Sequence, residues 1–189
     1  MGRLYIHKRY FAGAETKWVS FESDPSFRRT KGDIYGRCVP CITNLYEQLK
    51  EGKEEISLGA AHQCWKVVVT LPAMEECASF LDEFERKFLG EMAVKGRFGS
   101  GDPTKATRVI VFNAENEEEK ERLLERLSAC AALLDPRPAV SFHRGCAELH
   151  HDLLGNWRDW QEKEPVKNPG MREVVLDRIR KMLFWEKKA

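Results

Sequence analysis

The sequence predicts an α+β fold in which a β-α-β unit is written twice between residues 64 and 146. Three observations carry that prediction. Two nearly continuous β-branched runs, residues 66–71 and 109–112, each precede a stretch with apolar residues at helical spacing. Each helical stretch is followed by a short alternating segment, and glycine or proline punctuates the joins.

In chain order, the run KVVVTL at 66–71 reads as a buried strand, and Pro72 opens a helix whose stripe is Cys77, Phe80, Leu81, Phe84 and Phe88. Met92, Val94 and Phe98 alternate with Lys95 and Arg97, the signature of a strand covered on one side, and the glycine-rich stretch Gly99 to Gly101 ends it. The second copy begins with the run at 109–112. Asn113 and the acidic stretch 115–119 then make a capped helix start that suits the macrodipole. Its stripe is Leu123, Leu124, Leu127, Cys130, Ala131 and Leu134; residues 135–138 break it, and Val140 and Phe142 alternate with Ser141 and His143 before Gly145. Strands buried on both sides read as continuous apolar runs, whereas edge strands alternate. The expected plan is therefore a ferredoxin-like β-α-β-β-α-β chain with strands one and three central and parallel and strands two and four at the edges.

The flanks carry weaker signals. Residues 4–11 and 17–21 read as strands, 43–50 as a short helix and 51–55 as a solvated turn. A short helix runs from residue 147 to Leu154, the stretch 164–170 with Pro165 and Pro169 reads as a linker, and residues 172–187 form an amphipathic C-terminal helix. These flanks are expected to cover the sheet face that the two central helices leave open, since a bare apolar face invites aggregation.

At 189 residues, 42% hydrophobic and 32% charged, the chain can fill one good core. The expected organisation is a single domain over 1–189, with its core at 64–146, an N-terminal extension at 1–63 and a C-terminal extension at 147–189. No apolar run approaches the roughly 18 residues of a membrane span, and no secretory leader is evident, so a soluble cytoplasmic protein without a membrane partner is expected. Six dispersed cysteines point to reduced thiols rather than a disulfide framework. With 31 basic and 30 acidic side chains the net charge is +1, so any attraction for nucleic acid must be local.

The expected topology gathers such a local site. It places His62, Cys64, Arg97, Gly99, Ser100, Gly101, Lys105, Arg108, His143, Arg144 and Cys146 at one end of the sheet, with Glu75, Glu76, Glu91 and 117–119 at the other. Arg97, Lys105, Arg108 and Arg144 supply charge for an anion, and Gly99, Ser100 and Gly101 offer backbone N–H groups. The favoured reading is a protein that binds a phosphate-bearing ligand or RNA there. A basic, aromatic N-terminal strand with Tyr5, His7, Arg9 and Phe11 on one face would extend the surface for stacking single-stranded bases, although the central strands lack the aromatic pattern of an RNA-recognition motif. A solvated hairpin loop is the competing reading.

The runner-up is an enzyme at the same place. Cys146, at a helix start beside His143 and Arg144, is the candidate nucleophile and His143 its base. Zinc is the candidate cofactor: Cys38 and Cys41 form a C-x2-C pair, and one of two other pairs, His62 with Cys64 or His143 with Cys146, could complete four soft ligands. Unliganded thiols near Pro40 are the plain alternative. A homodimer module, using Trp157, Trp160, Trp185 and the apolar face of the last helix, is the third reading.

Overall fold

The computed structural model describes residues 3–7, 17–29, 38–88, 90, 92–100 and 107–183. Their contacts divide the chain into two compact units. One is built from residues 1–32 and 65–142, the other from 33–64 and 143–189.

The first unit is a six-stranded sheet in the order β1-β2-β5-β6-β4-β7, made of β1 (Tyr5–His7), β2 (Lys17–Glu22), β4 (Trp65–Leu71), β5 (Lys95–Ser100), β6 (Arg108–Ala114) and β7 (Ala139–Arg144). Helices α3 (Met74–Phe88) and α4 (Glu117–Ala131) connect β4 to β5 and β6 to β7, as the repeated unit requires. Both helices lie on one face. Along β4 the residues Trp65, Val67, Val69 and Leu71 are buried while Lys66, Val68 and Thr70 are half-buried, so the continuous apolar run still has a preferred side. Cys77, Phe80, Leu81 and Phe84 of α3 and Leu123, Leu127, Cys130 and Ala131 of α4 close that side. At its centre Phe21, Phe84 and Phe112 pack edge-on and tilted, with ring centroids 5.0 and 5.3 Å apart.

β4 and β6 are neighbours as expected, but β5 is not an edge strand, since β2 pairs with it, and the strand direction differs from the expectation. β4 and β6 are antiparallel neighbours, with Trp65 opposite Ala114 and Leu71 opposite Arg108. The physical reason is the number of crossings: each β-α-β passage returns the chain in the same direction, and the tight connection from β5 to β6 then reverses it once. The N-terminal strands also behave differently from the expectation. Instead of covering the open face, β2 pairs antiparallel with β5 and β1 with β2, lengthening the sheet. The cap of α4 is Asn116, whose side chain accepts from the Glu119 amide at 2.8 Å, and Asn113 lies within β6.

One end of this unit buries charge. Lys95 and Glu22 are opposite one another in register and almost wholly enclosed. Lys95 Nζ meets Glu115 Oε1 at 2.6 Å; Arg29 reaches the same carboxylate at 3.0 Å and Glu119 at 3.4 Å. Burial works against the Arg29 charge, but the hydrogen bond to Glu115 and the two carboxylates outweigh it and raise its pKa.

The second unit comprises α1 (Cys38–Lys50), β3 (Glu55–Ser57), α2 (Ala60–Gln63), α5 (Ala147–Leu154), β8 (Lys163–Pro165) and α6 (Arg172–Leu183). Its core joins Leu45 and Leu49 of α1 to Ile56, Leu153, Leu154, Trp160, Val175 and Ile179. The proline-containing stretch expected as a linker contains β8, which pairs antiparallel with β3 and brings Glu164 opposite Ile56. Prolines at the edge of a two-stranded ladder are tolerated because their missing N–H points away from the partner. Arg172 donates to the carbonyls of Leu49 and Lys53, satisfying the end of α1. Among the described residues no helix is long and apolar enough to cross a membrane.

Candidate functional site

Antiparallel pairing of β4 with β6 separates what the sequence reading had gathered. Arg108 and Gly99 stand at the end of the sheet where β4 finishes, whereas His62 and Cys64 lie just before β4 begins. The acidic residues divide too: Glu75 and Glu76 follow β4, and residues 117–119 follow β6. The expected single basic end is replaced by two separate groups of residues. Gly101 and Lys105 lie outside the described residues, as do the side chains of Ser100 and Cys38.

The first group lies on the sheet face opposite α3 and α4. Register puts Ser20, Arg97, Val111 and Val68 in one row across the strands, and Trp18, Gly99, Val109 and Thr70 in the next. The Arg97 guanidinium sits over the Trp18 ring, 4.4 Å from its centroid. Gly99 has φ of 137°, a conformation that other residues rarely adopt. Gly99 is buried there and is paired directly with Trp18 on one side and Val109 on the other. Gly99 and Ser100 do not form a free phosphate loop, since both are paired to β2, opposite Trp18 and Lys17. Lys66 and Asn113 share this face, both half-buried. The sequence showed Arg97 but not Trp18, because the two are distant in the chain and meet only through strand pairing.

The second group belongs to the other unit. Gly145 N–H donates to the Cys64 carbonyl at 2.8 Å, bringing the His62-x-Cys64 and His143-x2-Cys146 segments together. Arg144 Nη1 donates to the His62 carbonyl. His62 Nε2 lies 3.3 Å from the Trp160 carbonyl and 3.4 Å from Arg144 Nη2. With its hydrogen there it donates to the carbonyl; without it, it accepts from the guanidinium. His143 Nδ1 donates to the Arg144 carbonyl at 2.9 Å, which directs its hydrogen to Nδ1 and its lone pair to Nε2. His150 is buried, donates from Nδ1 to the Cys146 carbonyl at 3.0 Å and packs edge-on against Trp160. Burial lowers its pKa, and that hydrogen bond partly opposes the shift.

For zinc, the candidate ligands Cys38 and Cys41 both lie in α1, with Cys41 buried, while His62 and Cys64 lie at the end of α2. Among the described residues no three His, Cys, Asp or Glu side chains stand in a metal-holding group. Cys77 and Cys130, by contrast, are core residues of α3 and α4, and burial pushes both thiols up to about 11.

Comparison with protein-family models, with curated proteins and with solved structures finds no match for this chain.

Proposed function

We propose that the chain binds single-stranded RNA across the sheet face carrying Trp18 and Arg97. The strand order β5-β6-β4-β7 with its two helical crossings corresponds to a ferredoxin-like plan, and both helices of that plan occupy one face. The observation that carries the proposal is the stack of Arg97 on Trp18 on this face. A tryptophan supplies a flat π surface for a base, and the neighbouring guanidinium and the Lys66 ammonium supply positive charge for the phosphates. Among the described residues, the carboxylate of Glu22 on this face is fully buried, and Glu115 beside Lys95 is paired with Lys95 and Arg29. The central strands place Lys66, Val68, Thr70, Val109, Val111 and Asn113 on this face without an aromatic residue, so stacking falls to β2 and base identity is read weakly.

The test is a titration of fluorescently labelled oligouridine by anisotropy, at several salt concentrations. Trp18→Ala should weaken binding by about 1–3 kcal/mol, the usual worth of one stacked base. Arg97→Glu should weaken it and reduce the slope of log K against log salt by about 1. Wild-type affinity in both variants, with circular dichroism unchanged, would remove the proposal.

A further inference from the structure

We propose, resting on the RNA reading of this face, that Arg97 is a displaceable cover on Trp18, so that the site favours ligands that carry a base and a phosphate together over ligands that carry either one.

The placement follows from register. Trp18 is directly opposite Gly99, and Ser20 is directly opposite Arg97. Residues two apart on a strand share a face, so Trp18, Ser20, Gly99 and Arg97 are mutual neighbours on the side away from α3 and α4. Gly99 has no side chain to set against the indole. The diagonal neighbour fills that role, as long side chains do across paired strands, and the Arg97 guanidinium carbon lies 4.4 Å from the Trp18 ring centroid. Both side chains are half-buried.

A guanidinium at that distance occupies the layer in which a base would stack on the same side of the ring. The two groups are therefore competitors for one π surface. A base that takes this place must break the cation–π contact, and its stacking gain is reduced by what that contact was worth. A phosphate changes the balance. Once displaced, the guanidinium can donate two parallel, charge-assisted hydrogen bonds to phosphate oxygens, which are stronger than an exposed cation–π contact. The exchange is favourable when one ligand supplies both groups. A nucleoside offers the stack without a new partner for Arg97, and inorganic phosphate offers the partner without the stack. The ligand class singled out is a nucleotide or an oligonucleotide, with Arg97 passing from ring to phosphate as it binds.

The size of the effect follows from the contact that is broken. Loss of a cation–π contact at an accessible site handicaps a bare nucleoside by about two- to fivefold in affinity. Removal of the arginine should lift that handicap while taking away the phosphate partner. Nucleoside and oligonucleotide binding should therefore move in opposite directions in the same variant.

The experiment uses the full chain, uridine and oligouridine, with affinities and side-chain signals read by NMR. Without RNA, the Arg97 methylene protons next to the guanidinium should resonate upfield of their ordinary positions, shielded by the indole. Oligouridine should return them toward those positions and shift the Trp18 indole N–H, a signal identified by its loss in Trp18→Ala. Arg97→Ala should bind uridine about two- to fivefold more tightly than the wild type and oligouridine more weakly. Arg97 signals that stay upfield in the oligouridine complex would overturn the proposal, and this wild-type measurement decides even where the variant misfolds. Uridine affinity that is unchanged or lower in a folded Arg97→Ala would overturn it too, since the base would then stack elsewhere or on the guanidinium itself. Failure of the RNA reading is distinguishable: the wild type would bind no oligouridine at all, and the cover would fall with it.

Discussion

Lys95 tests the energetics of the sheet most sharply. Its ammonium is only 1% exposed, 2.6 Å from Glu115, on the same face as the fully buried Glu22. Replacement by Met preserves the apolar stem and removes one positive charge from a group whose remaining members are Glu22, Glu115, Glu119 and Arg29. Stranding one partner of a buried pair costs about 3–5 kcal/mol. Glu115 is 37% exposed and keeps Arg29, so water and the guanidinium absorb part of the loss, whereas Glu22 stays enclosed. The expected cost is therefore about 3 kcal/mol, the lower end of that range. For a chain of this size that corresponds to a melting temperature lower by about 6–12 °C. Because the chain has two compact units, hydrogen exchange at the β5 and β6 amides should accompany the melting curve, so that the loss is assigned to the first unit. The double variant Lys95→Met/Glu22→Gln removes the stranded charge and should regain at least half of the stability. A loss below about 1 kcal/mol, the value of an exposed pair, or no recovery in the double variant, would refute this account.

Three further outcomes follow from particular contacts. Gly96→Ala would drive a methyl group into the Val111 carbonyl and to 2.6 Å from Phe21 Cζ, so chemical denaturation should show a loss of about 1–3 kcal/mol; Gly90→Ala, with open space around it, should be nearly neutral by comparison. Asn116→Ala removes the hydrogen bond that caps α4 and should cost about 1 kcal/mol, read as a lower urea midpoint at unchanged slope. His150, whose folded-state pKa is depressed by burial, takes up its proton more readily when unfolded. Its contribution is intact above the unfolded value of about 6.5 and is lost as pH falls from there through the folded value. Melting temperatures measured from pH 7.5 to 5 should therefore fall more steeply for the wild type than for His150→Gln, and parallel curves would contradict the assignment.

The elements between residues 65 and 144 were legible because each announces itself locally. Helical spacing in α3 and α4 is a property of neighbours three and four apart, and the two β-branched runs are consecutive residues. The misplaced cap shows where that legibility ends: Asn113 and Asn116 are the same residue type three positions apart, and only the hydrogen bond from Glu119 N distinguishes them. β8 was hidden for a similar reason. Lys163, Glu164 and Pro165 have no strand pattern, and their pairing comes from β3, more than a hundred residues earlier in the chain.

By itself, then, the sequence determined the order of strands and helices between residues 65 and 144 and the buried faces of α3 and α4, because these depend on short-range periodicity and on how apolar each run is. Strand direction and the identity of the residues that meet in space were decided only by the tertiary structure. Reversing one strand exchanges its ends without changing a single residue, so no local pattern records it. With β5 and β6 both reversed from the expected directions, Gly99 and Arg108 stand at the end of the sheet where β4 finishes. Pairing between distant segments then supplied Trp18 as the neighbour of Arg97 and Gly145 as the neighbour of Cys64, two contacts that sequence spacing does not encode.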